Sequence, residues 1–164
     1  MNRLELQNSK AASADGPLYR ALAVGDLPAA WLLVSPLLEP GRDERLSAPT
    51  AFNCGLCLFR LEEYERALGL LKRAERLLDS IAGPDTAGRK LFMQALGASD
   101  AALLPLDPEW GPGMERYALI RVRWLTALCL LRLGREREAA PLLRFLEQYH
   151  ICPPRAAAGT GDTS

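Results

Sequence analysis

Four groups of residues have the types and spacing to do chemistry. Cys54-Gly-Leu-Cys57 has the two-residue gap of thiol redox centres and of half a zinc site. A redox pair needs its first thiol near a helix N-terminus, where the dipole favours the thiolate. Cys54 instead falls in the middle of an apolar helical pattern. A structural zinc needs two further ligands, and Cys129 and Cys152 stand alone without paired spacing. His150 is the sole histidine, next to Tyr149 at the end of the last helical stretch, where an imidazolium suits the negative end of the dipole. Neither a Ser-His-Asp triad nor a Gly-rich phosphate loop is present. Asp107-Pro-Glu109 sits in a Pro-rich loop, too loose a platform to tune a carboxylate pair. Glu62, Glu63, Glu65 and Arg66 read as a solvated helix face with i,i+4 pairing. These readings argue against an enzyme and call for no cofactor and no metal.

The elements that carry these residues are helical throughout. The first sixteen residues are polar and close on Asp15-Gly16-Pro17, the end of a flexible lead-in. Leu18, Ala21 and Leu22 then share a face until Gly25-Asp26. Leu27, Ala30, Trp31, Val34, Leu37 and Leu38 form the next apolar face, closed by Pro40-Gly41. Ser47 caps a third helix with Pro49 in its first turn. After Leu61-Glu62 a long helix buries Tyr64, Ala67, Leu68, Leu71, Ala74, Leu77 and Leu78, and Gly83-Pro84 stops it. Another helix spans about 86–96. Pro105, Pro108, Pro112 and Gly113 then forbid helix, leaving an exposed insertion in which Leu106 and Trp110 can fold back. Helices over about 114–132 and 135–149 follow, and the tail 153–164 has nothing to bury and is expected to be disordered.

Charge and length narrow the classes further. Twenty basic residues balance twenty acidic ones in 164, which gives no global pull toward nucleic acid or an anionic membrane. No apolar run reaches the length of a membrane-spanning helix, and no secretory leader is visible. Four cysteines, three within apolar patterns, fit a reduced compartment, and the cytoplasm is expected.

Ala30, Ala67, Ala102 and Ala139 recur at spacings of 37, 35 and 37 residues. In the second unit Gly55, Tyr64, Ala67, Leu71 and Ala74 occupy small and large positions in the order expected of two helices in close contact. In the fourth, Ala127, Leu130, Gly134, Ala139 and Leu143 do the same. Gly25, Leu27, Ala30, Val34 and Leu37 mark the first unit, and Gly97 and Ala102 a degenerate third. This pattern resembles a tetratricopeptide repeat. It departs at Ala51, Leu58 and Arg123, where aromatics are usual, at Asp79, where proline is usual, and at Leu146, where a small residue is usual.

The resemblance implies an all-α, right-handed superhelical stack of antiparallel helix pairs, with about seven or eight helices. It covers a single domain over 17–150, with units near 17–40, 47–82, 84–104 and 114–150. It implies an adaptor or chaperone-like module that takes a peptide or helix of a partner protein in a concave groove. First-helix residues would line that groove: Tyr19 from the first unit, Phe52, Asn53, Leu56 and Phe59 from the second, and Arg121, Trp124 and Leu128 from the fourth. Packing of Phe52, Phe59 and Trp124 in the core is the equal alternative. A self-associating module, in the form of a homodimer, and a thiol redox protein using Cys54 and Cys57 are the competing functions.

Overall fold

The computed structural model describes residues 15–97, 101–111 and 113–153; the expected lead-in (except Asp15 and Gly16) and tail (except Pro153) lie outside these. Among the described residues there is helix and no strand. Helix α1 covers residues 15–23, so Asp15-Gly16-Pro17 lies inside a helix rather than ending a lead-in. It is followed by α2 (Leu27–Val34), extended by a 3-10 turn over Ser35–Leu38, then α3 (Ala48–Arg60), α4 (Tyr64–Asp79), α5 (Ala87–Gly97), α6 (Glu115–Arg132) and α7 (Glu136–Glu147).

Three of the connections are copies of one another. At Gly25, Glu62 and Gly134 the backbone turns left-handed, with φ of 75°, 62° and 70°. Each turn carries the same pair of bonds. The left-handed residue donates to the carbonyl three back (Leu22, Phe59, Leu131), and the next residue donates to the carbonyl five back (Ala21, Leu58, Leu130). This is the double closure that satisfies the last orphan carbonyls of a helix. The following helix then carries, as its fourth residue, an alanine whose N–H reaches back to the turn: Ala30 to Asp26, Ala67 to Glu63, Ala139 to Arg135. All three alanines are fully buried. Three hairpins, α1–α2, α3–α4 and α6–α7, thus share one design.

The fourth alanine departs from this pattern. Ala102 lies in a short 3-10 turn, Ala101–Leu103, and no second helix follows it. Helix α6 packs directly on α4, so the third hairpin in space is the fourth unit of the sequence. The 35 and 37 residue spacings around Ala102 add up to two periods between Ala67 and Ala139, which hides the skip.

Close packing explains the helix order. A Cβ on Gly55 would stand 3.0 Å from Leu71 Cδ2 and 3.5 Å from the Ala67 carbonyl, so glycine lets α3 and α4 approach. Phe59 meets Tyr64 edge to face, with ring centroids 5.3 Å apart. Near the other end Arg73 donates to the carbonyls of Glu44 and Leu46, just ahead of α3. Rising numbers on one helix meet falling numbers on the other, so the pair is antiparallel. The same holds between α4 and α6: Arg135 pairs with Glu65 at 3.0 Å, and Arg123 with Glu75 at 3.2 Å and Asp79 at 3.5 Å. Arg123 lies 4.4 Å over the Phe145 ring and pairs with Asp79. Leu146, the oversized residue of the last unit, is fully buried in a second cluster with Met93, Ala102, Trp124 and Tyr149.

Helices α3 and α6 are buried on nearly every face, whereas α4 and α7 are amphipathic. Helices enclosed on most sides lie between neighbours in the stack. The central pair also carries most of the polar side chains that face inward.

Candidate functional site

Residues 101–111 return across the molecule and lie against α3 and α6. Asn53, from the middle of α3, donates through its amide to the Leu106 carbonyl and accepts from the Leu106 N–H, both at 2.8 Å. One side chain thereby holds both main-chain groups of one residue. Arg60, at the end of α3, donates to the Leu103 carbonyl at 2.6 Å and to Leu22 of α1 at 3.0 Å. Arg121 of α6 donates to the Leu104 carbonyl and, at 2.7 Å, to the Tyr117 hydroxyl. Residue 103 lies by position 60 and residue 106 by position 53, so this strap runs antiparallel to α3.

The chemistry here is that of a polypeptide holder. Arg121 is only 1% exposed, lies 5.5 Å from the Phe52 ring and 5.6 Å from that of Tyr117, and its Nε has no acceptor. Burial lowers its pKa, and the neighbouring Tyr117 works in the opposite direction. Among the described residues no carboxylate pairs with Arg121 or with Arg60. Their charge is met by main-chain carbonyls instead. A charged donor on a neutral carbonyl is a weaker arrangement than the same donor on a carboxylate.

Six of the eight residues expected to line an open groove are buried, under the strap or in the core. Phe52 and Leu56 are fully buried, Phe59 nearly so against Tyr64, and Asn53 and Arg121 are buried with their polar ends on the strap. Trp124 belongs to the second cluster with Met93 and Ala102. Tyr19 and Leu128 are half-buried. The structure thus brings Phe52, Asn53 and Arg121 together. Arg60, Tyr117 and the main chain of Leu106 complete the site. An arginine ending an otherwise apolar helix was the available signal for Arg60. Leu106, not Trp110, is the deeply buried anchor; Trp110 is half-buried against the main core.

Cys54, Cys57 and Cys129 are buried, and burial pushes all three thiols up, Cys129 to about 12. Little thiolate exists at neutral pH in such surroundings. Among the described residues no three His, Cys, Asp or Glu side chains group as metal ligands. Asp107 accepts from the Glu109 N–H at 2.9 Å, closing a local turn. Glu65 pairs with Arg135 across the stack and not within its own helix, while Arg66 lies 6.0 Å over Trp31. His150 takes the left-handed position at the end of α7, with φ of 55°. No described helix is long and apolar enough to cross a membrane.

Helix α5 and the residues ahead of it are pinned as well. Tyr149 donates to Asp85 at 2.6 Å, Arg89 to the Gly113 carbonyl at 3.1 Å, and Gln94 to the Gln148 carbonyl at 3.4 Å. No family model matches this chain, and no curated protein and no solved structure shows significant similarity to it.

Proposed function

We propose that this chain is a protein–protein interaction module, an adaptor or chaperone-like binder in the cytoplasm. Its three hairpins stack as a right-handed, tetratricopeptide-like superhelix, and the face formed by α1, α3 and α6 takes a peptide or helix of another protein. The observation that carries the reading is the two-point bond from Asn53 to one residue of an extended segment, with Arg60 and Arg121 holding the two carbonyls at Leu103 and Leu104. A balanced net charge and four free cysteines are in keeping with a protein partner in a reducing compartment.

Affinity capture from the native host, read by mass spectrometry, tests this. The intact chain and an Asn53→Ala variant of unchanged helicity are compared. A partner enriched by the first and lost with the second is the expected result; no specific partner, or one indifferent to Asn53, sinks the proposal. The self-associating reading draws on α5, where Leu91 is 68% and Phe92 54% exposed. Concentration-dependent dimerisation abolished by Phe92→Glu would favour it.

A further inference from the structure

The strap differs from an ordinary connection in how it is held. Side chains of two different hairpins bond its main chain, at Leu103, Leu104 and Leu106. Within 103–106 only Leu106 is buried, since Leu104 is 54% exposed and Leu103 is half-buried, while the flanking Ala101 and Ala102 are buried in the second cluster. The stack beneath is joined without it, through the packing of α3 on α4 and of α4 on α6. Arg121, buried with an unpartnered Nε and no carboxylate, makes less of its donors than it could. A contact selected for stability alone would leave neither a buried donor orphaned nor a buried charge unpaired.

We infer that residues 103–106 are an internal ligand: a strap that occupies the binding face and must leave before a partner enters. The inference rests on the reading of that face as a polypeptide-binding surface. It also specifies the occupant. Asn53 bonds the N–H and the carbonyl of the same residue, and in a helix interior both groups are already used. The incoming segment is therefore extended, with an apolar side chain in the place of Leu106. Because the contacts engage main chain, the strap and a partner compete for the same donors on equal chemical terms. Occupancy is then set by the strap's high local concentration against the partner's additional contacts.

The test uses the full chain with Leu103→Gly and Leu106→Gly together, which loosens the strap at constant length. The probe is a fluorescent synthetic peptide of residues 101–111, the strap supplied from outside. It should bind the loosened chain at least tenfold more tightly than the intact chain, and adding Asn53→Ala should remove the gain. Equal binding by both chains, or no binding by a loosened chain whose circular dichroism stays helical, overturns the inference. Should the loosened chain unfold, hydrogen exchange on the intact chain decides. Exchange of the Leu106 amide while α3 and α4 stay protected supports a strap that opens, and exchange only with global unfolding overturns it. A peptide that binds the loosened chain, when partner capture recovers nothing from either chain, overturns the proposed function and leaves the strap standing. Capture of one partner equally well by intact and loosened chains does the reverse.

Discussion

Replacing Glu62 by glycine should stabilise this protein. Glu62 holds the same left-handed position that Gly25 and Gly134 hold in the sister turns, at φ of 62° against 75° and 70°. An L-residue pays roughly 1–2 kcal/mol for that conformation, because its Cβ crowds the following carbonyl. Glycine escapes this cost but loses more freedom on folding, which returns about 0.5–1 kcal/mol. The Glu62 side chain is exposed and makes no ion pair among the described residues, so little else is lost. Glu62→Gly should therefore gain about 0.5–1 kcal/mol. For a chain of this size that raises the melting temperature by about 1–4 °C. The mirror experiment is Gly134→Ala. A Cβ there meets nothing within 4 Å, so its expected loss of about 1 kcal/mol reports backbone conformation alone. Urea denaturation of the three proteins gives both numbers, with unchanged m-values as the check on two-state behaviour. A Glu62→Gly protein less stable than its parent, or a neutral Gly134→Ala, would refute the shared-turn argument.

Three further outcomes follow from particular contacts. Gly55→Ala places a methyl 3.0 Å from Leu71 Cδ2 and should cost about 1–3 kcal/mol in urea denaturation, and less when introduced into a Leu71→Ala background, as a double-mutant cycle would show. Pro141 sits inside α7 without an N–H to give, and Pro141→Ala should raise stability by about 1–3 kcal/mol, a loss instead pointing to a packing role for the ring. Between about pH 9 and 12 the unfolded chain ionises Cys129 while the folded chain keeps its proton. The folded pKa is raised, so this contribution is constant below pH 9 and stability falls as pH rises, by about 1.4 kcal/mol per pH unit for each such thiol. Denaturation midpoints from pH 7 to 11 check this, and Cys129→Ala should flatten the slope.

The parts legible in the sequence are those set by local rules. Ser47 accepts from the Thr50 N–H at 3.4 Å as a cap should, Gly25 and Gly134 end their helices, and the Pro105–Gly113 region carries no helix among its described residues. Gly55 marks a close helix contact, as its place between larger residues suggested. The skipped unit was hidden because Ala102 preserves the period by coincidence. Whether the inward residues of α3 and α6 serve a groove or a core was not legible, for a different reason. A helix enclosed on all sides has no solvent face against which to read the others, so Phe52, Leu56 and Trp124 fit a groove and a core equally well. The strap was unreadable in principle at its key contact. Asn53 grips main-chain atoms, and every sequence supplies those.

The direct seating of α6 on α4 has a consequence for how the molecule assembles. Within each hairpin the chain closes over a turn of about three residues, but bringing α6 to α4 closes a loop of about thirty-five, residues 80–114. On the logarithmic cost of loop closure this adds about 2 kcal/mol relative to a short turn. Helices α1–α4 can form and pack while that loop is still open, and α6–α7 can form as an independent hairpin. The α4–α6 junction is then the junction between hairpins with the largest closure cost, and is expected to form after the hairpins themselves. The pairs that span it, Arg123 with Glu75 and Asp79 and Arg135 with Glu65, form late and act on the unfolding rate more than on the folding rate.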